Sequence, residues 1–119
     1  MVGLSDASAL LPHRASTDNL GDGRFGSVGT DGHCLEVRKA DDELRNVDVG
    51  FIKIDVEGME LKVLAGLREV IGKFRPPMFV EVDMANDAEF QDFVSTNGYR
   101  VVKTCRSYSV NCNYAVISY

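Results

Sequence analysis

The chain has no excess of basic charge. Its 13 Lys and Arg face 18 Asp and Glu, for a formal net charge of −5 and a pI of about 4.9. Phosphate backbones select basic faces, so nucleic acid is not expected as a partner. Long apolar runs are also missing. No stretch reaches the ~18 residues that a membrane-spanning helix needs, and the first residues lack a basic-then-apolar leader. The expected location is therefore cytoplasmic, with no membrane contact. Cysteine is scarce. Cys34, Cys105 and Cys112 are odd in number and fit no common zinc spacing. They are expected as reduced thiols, neither a disulfide framework nor a metal site. Internal repeats and low-complexity tracts are absent as well.

What is present fits one folded domain. A length of 119 residues is enough to bury a core without covalent staples. Hydrophobic residues make up 45% and charged residues 26%, the balance of a globular chain. We read residues 1–119 as a single domain: a loop-rich N-terminal segment, 1–46, and an α/β core, 47–119. More than half of the 11 glycines fall within the first 33 residues, where loops and short extended pieces are expected. "VGLSD" reads as the end of a strand, "HCLEVRKA" (33–40) as a strand and "DDELRNV" as a short helix or turn.

The pattern sharpens from residue 47. "VGFIKIDVE" is rich in β-branched residues and predicts a strand. Gly58 separates it from "MELKVLAGLREVIGKF", where Val63, Leu64, Leu67, Val70, Ile71 and Phe74 recur at helical spacing. Glu60 in the first turn, with Lys73 and Arg75 at the end, suits the helix dipole. Pro76 and Pro77 stop the helix. "MFVEVD" predicts a second buried strand. "NDAEFQDFVSTNG" predicts a helix with Asn86 or Asp87 as cap and Gly98 as stop. "YRVVKTCR" and "YAVISY" predict two final strands joined as a hairpin. The order of elements gives an α/β fold whose first strands are parallel and joined by right-handed crossovers.

Both inner strands turn acidic toward their carboxyl ends. In the first, Lys53, Asp55 and Glu57 alternate with Ile52, Ile54 and Val56; in the second, Glu81 and Asp83 alternate with Val80 and Val82. Paired side by side, the strands would bring Asp55, Glu57, Glu81 and Asp83 to one rim, where open α/β sheets bind ligands. Crowded carboxylates raise one another's pKa unless a cation or donor compensates. Lys53, a substrate ammonium, an Arg or Mg²⁺ could do so. Plainer readings stand beside this one: strands often end in charge as they meet water, and Glu57 suits a helix N-terminus. Lys53 reads first as the structural partner of a rim carboxylate. His13 and His33 read as solvated loop residues, and Tyr99, Tyr108, Tyr114 and Tyr119 as core cover.

The stretch "FIKIDVEGMELKVLAG" followed by "RPPMFVEVD" resembles the FkbM family of S-adenosylmethionine-dependent methyltransferases. Lys53, Asp55, Glu57, Gly58, Glu60, Val63, Leu64 and Gly66 stand at the positions of the family signature, as do Arg75, Pro76 and Glu81. "LSD" (4–6), "VRKADDEL" (37–44) and "NGYRVV" (97–102) are weaker likenesses. The resemblance implies a partial class I methyltransferase, Rossmann-like sheet: parallel strands with crossover helices and a C-terminal antiparallel hairpin. It implies S-adenosylmethionine as cofactor and O-methyl transfer to a hydroxyl of a small-molecule or sugar acceptor. By the same resemblance Asp55 and Glu57 are the catalytic candidates, with Lys53, Glu81 and Asp83 as substrate or rim candidates.

The chain departs from the family at its start. Members open with a strand and a glycine-rich turn similar to "DhGAxxG", which holds the methionine end of the cofactor, then a strand whose terminal acid holds the ribose. "GDGRFGSVG" (21–29) has glycine without that strand–helix context and reads as a loop. The chain thus looks like the C-terminal part of such a methyltransferase, with no cofactor-binding residues assignable. The family's sheet order would leave strand 51–57 as an exposed edge, and an exposed edge invites pairing. A homo-oligomer, most simply a two-fold dimer, is expected through 51–57 or the adjacent helix faces. The alternative function is a non-catalytic remnant of the methyltransferase fold acting as an oligomerising interaction domain.

Overall fold

A computed structural model describes residues 2–14, 24–25, 34–106 and 109–119. His33, Tyr108 and the stretch 21–29, apart from Arg24 and Phe25, lie outside the described residues. The fold is α/β with mixed sheets.

The larger sheet contains β5 (Ile52–Ile54), β6 (Met78–Asp83), β7 (Tyr99–Cys105) and β8 (Asn111–Ser118), ordered β5-β6-β8-β7. β5 and β6 are parallel, with Lys53 opposite Phe79; β8 runs antiparallel to both β6 and β7. The predicted hairpin therefore forms. In β6, Met78, Val80 and Val82 are buried, while Phe79, Glu81 and Asp83 are half-buried, as a sheet with one packed face requires. Cys112, Tyr114 and Val116 continue the buried row on β8.

The strand predicted over 49–57 is shorter, covering Ile52–Ile54. The helix predicted over 59–74 is two helices, α2 (Glu60–Gly66) and α3 (Arg68–Phe74), broken at Leu67. The break has a physical cause. Asp41, buried at the start of α1 (Ala40–Glu43), accepts hydrogen bonds through Oδ1 from the backbone N–H groups of Glu69 and Val70, both at 3.1 Å. A side chain distant in sequence thus caps a second helix N-terminus. α3 ends at Arg75, whose φ of 48° is left-handed. Its guanidinium donates to the carbonyls of Asn97 (3.3 Å) and Gly98 (2.7 Å), tying that turn to the start of β7. Asn86 precedes α4 (Asp87–Thr96) but makes no side-chain cap; Asp83 instead accepts from Ala85 N at 2.9 Å and caps the short 3₁₀ turn Met84–Asn86. Gly98 takes the expected stop conformation, with φ of 68°.

The smaller sheet is ordered β1-β4-β2-β3, from β1 (Gly3–Ser5), β2 (Ala9–Arg14), β3 (Arg24–Phe25) and β4 (Cys34–Lys39). His13 falls in strand β2 rather than in a loop. β1 packs on α2, and Gly66 makes this possible: a Cβ there would collide with the Ser5 carbonyl oxygen. The two sheets meet across this contact, and it places β1 and β2 beside the carboxyl end of β5. Among the described residues no helix is long and apolar enough to cross a membrane. The three cysteines are free of disulfides.

Candidate functional site

A cleft of about 210 Å³ opens at the carboxyl end of β5. Leu4 of β1 and Leu11 of β2 form one wall; Asp55, Val56, Glu57 and Met59 form the other. The chain turns there on Gly58, whose φ of 78° is left-handed and costs a glycine little. This turn carries the strand's acids past the end of the sheet.

Asp55 accepts a 2.8 Å hydrogen bond through Oδ2 from Lys53 Nζ. Both side chains are exposed. The lysine's hydrogen bond holds the Asp55 carboxyl below its ordinary range, against a smaller opposing effect of burial. The same contact raises the Lys53 ammonium. Lys53 is thus the structural partner of a rim carboxylate, as its position implied. An ionised Asp55 with a depressed pKa is a good hydrogen-bond acceptor and a weak base.

The four acids do not share one cleft. Asp55 and Glu57 line it. Glu81 stands beside Asp55 as a further hydrogen-bonding influence, and its Oε1 accepts from Asn111 Nδ2 at 2.9 Å. The structure therefore joins Lys53, Asp55 and Glu81 along one face of β5 and β6, while Asp83 lends one oxygen to Ala85 N and keeps the other near the Gly58 turn. Among the described residues, no group of three or more His, Cys, Asp or Glu is placed to hold a metal ion.

Sequence reasoning missed Glu60. Its position in the first turn suggested a dipole role, yet it is 0% exposed. Glu60 Oε1 accepts from Asp83 N at 3.0 Å and from Asn86 Nδ2 at 2.8 Å, clamping the end of β6 to the start of α2. Its Oε2 is buried without a hydrogen-bond partner. The signal was available: Glu60 lies on the same helical stripe as Val63, Leu64 and Leu67. A carboxylate on an apolar stripe calls for buried donors.

S-adenosylmethionine can be tested against this cleft by size and chemistry. Small-molecule pockets run roughly 300–1,000 Å³, and the cleft, at about 210 Å³, is smaller. At that volume it fits one end of the cofactor or a group beside it. Its acidic wall fits a hydroxyl or ammonium group, and its apolar wall fits the carbon skeleton beside one.

Over residues 2–108 the chain matches the methyltransferase FkbM domain family. Its fold is similar to the crystal structure of methyltransferase FkbM from Methylobacillus flagellatus KT, with a TM-score of 0.63 and 20% sequence identity. The similarity covers 96% of this chain and 27% of that one. At such identity the likeness speaks for fold alone, and this chain spans about 27% of the length of the protein it resembles. Comparison with curated proteins finds no match. With residues 2–108 matched, the chain belongs to the FkbM methyltransferase domain family.

Proposed function

We propose that this chain provides the acceptor side of an S-adenosylmethionine-dependent O-methyltransferase acting on a small-molecule or sugar hydroxyl. The observation that carries this reading is the pair Asp55 and Glu57 in the wall of the cleft at the carboxyl end of β5, in a chain of the FkbM family. Ligands of open α/β sheets bind at the carboxyl ends of the strands. The cofactor, when bound, supplies the methyl group. This chain's residues position the group that receives it. Asp55, kept ionised by Lys53, accepts a hydrogen bond from the acceptor hydroxyl and fixes the direction of its lone pairs. In-line displacement depends on that alignment. Glu57, on the same wall, offers a second acceptor for a neighbouring hydroxyl. Leu4, Leu11 and Val56 exclude water from the carbon skeleton.

Calorimetric titration with S-adenosylmethionine and S-adenosylhomocysteine tests the reading. Saturable binding of either ligand is the expected result. No heat and no thermal shift at millimolar ligand would contradict it. That outcome would favour the other reading, a non-catalytic methyltransferase fold used as an interaction domain.

A further inference from the structure

We propose that the open edge of β5 is a self-association surface, on which a second copy of this chain adds its own β5 antiparallel about a two-fold axis centred at Ile54. The proposal does not depend on methyl transfer.

Three observations lead to it. First, β5 ends its sheet: among the described residues it pairs with β6 on one side only. Ile52 N donates to Pro77 O at 3.1 Å, so its backbone groups point toward β6. By the alternation of a strand, those of Phe51, Lys53 and Asp55 point the other way, outward. Second, an apolar cleft of about 380 Å³ runs along that edge, with Leu4, Leu44, Val47, Val49 and Phe51 among its walls. Phe51 is 60% exposed and Val47 46%, a large apolar investment for a surface facing water. Third, the charges on the edge are self-complementary in one register. Outward-facing residues must oppose one another for the ladder bonds to form; centring on Asp55 sets two carboxylates face to face, and centring on Ile52 sets Phe51 opposite Lys53 and pairs no charges. Centring on Lys53 sets the two copies' ammonium groups face to face, which is destabilising. Centring on Ile54 sets each Lys53 opposite the second copy's Asp55, giving two ion pairs and four backbone hydrogen bonds by symmetry. The Lys53–Asp55 contact within one chain (2.8 Å) then becomes part of a four-charge cluster across the axis.

The test is sedimentation of the full chain from micromolar to sub-millimolar concentration. The expected mass is that of two chains, falling to one on dilution. Lys53→Asp and Asp55→Lys should each weaken association at least tenfold, because each opposes like charges twice across the axis. The double exchange Lys53→Asp with Asp55→Lys restores opposite charges and should restore the mass of two chains. Both side chains are exposed, so circular dichroism should show all variants folded. Hydrogen exchange gives a second readout that needs no substitution: the Lys53 and Asp55 amides should be protected at high concentration and exposed at low. A single-chain mass throughout would overturn the proposal, as would single exchanges that leave the mass at two chains or a double exchange that fails to restore it. Concentration-independent exchange at Lys53 and Asp55 would do the same. A single-chain protein that binds another protein's extended segment on this edge would also overturn it.

Discussion

The larger sheet has two ends, β5 and β7, and they are built differently. β7 is seven residues long, carries a register shift between Val101 and Lys103, and exposes Arg100, Lys103 and Thr104 together with one apolar residue, Val102. A bulge and charges on an edge prevent another strand from adding to it. β5 is three residues long and has no such shift against β6. Its charges, Lys53 and Asp55, are of opposite sign and pair with each other, and Phe51 and Val47 lie exposed beside it. β7 carries features that discourage a further strand. Among the described residues β5 carries neither a bulge nor charges of one sign, and its carboxyl end opens on the acidic cleft.

The two ends of the larger sheet should respond most unequally to a change at Gly66. Gly66→Ala forces a Cβ into the Ser5 carbonyl and should separate the smaller sheet from α2, removing the Leu4 wall of the cleft. The cost should reach or exceed the upper end of the ~1–3 kcal/mol typical of overpacking. Hydrogen exchange should accelerate across Gly3–Ser5 and Cys34–Lys39 and stay unchanged in Tyr99–Cys105. Equal acceleration at both ends of the larger sheet would show that the two ends are not independent.

Glu60→Ala comes next. It strips the acceptor from Asp83 N and from the Asn86 side chain. Buried donors left unpaired cost about 1–3 kcal/mol. Urea unfolding should show that loss, with the exchange change confined to the end of β6 and the turn after it. Glu60→Gln, which keeps an oxygen acceptor, should recover most of the stability. Equal losses for Ala and Gln would mean that the charge of Glu60, and not its hydrogen bonds, holds the turn.

At the guarded edge the expected change is small. Lys103→Ala removes an exposed side chain and should alter stability by no more than about 0.5 kcal/mol, with no change in mass by sedimentation. Gain of association in this variant would show that Lys103 does more to guard β7 than its bulge does.

The smallest effect is the pH dependence of Asp55. Its folded pKa lies below the unfolded value because Lys53 donates to it. The resulting stabilisation is present above the unfolded value, ~3.9 for Asp, and is lost as pH falls through the lower folded value. The wild-type chain should therefore melt slightly above Asp55→Asn at neutral pH, and the gap should close on acidification below the ordinary Asp range. Both partners are exposed, so solvent and salt screen the pair and the gap should shrink in high salt. A gap that widened in acid would contradict the sign.

Much of this was legible in the residues. Met78–Asp83 shows its alternation directly, and the strand forms as read. The signature around Asp55 and Glu57 led to the family, and both acids line one cleft. What stayed hidden depends on partners distant in sequence. Asp41 caps a helix 28 residues away, and Gly66 was the single local sign of the break at Leu67. Glu60 holds the Asp83 amide 23 residues away, and periodicity reports the buried stripe without naming the donor. Residues 49–51 have strand-like composition, but the strand begins only at Ile52. β2 was masked by Pro12 and by the loop-like composition around it. Asp83 matches the alternation of the acidic rim, and the sequence did not show that one of its oxygens would cap Ala85 N.

The most direct test of the central claim is amide chemical-shift mapping of the full chain during titration with S-adenosylhomocysteine. Saturable shifts are expected at Asp55, Val56, Glu57 and Met59 and on the facing wall at Leu4 and Leu11, with the β7 edge silent. Shifts absent at millimolar ligand, or gathered on a surface away from the carboxyl end of β5, would contradict that claim.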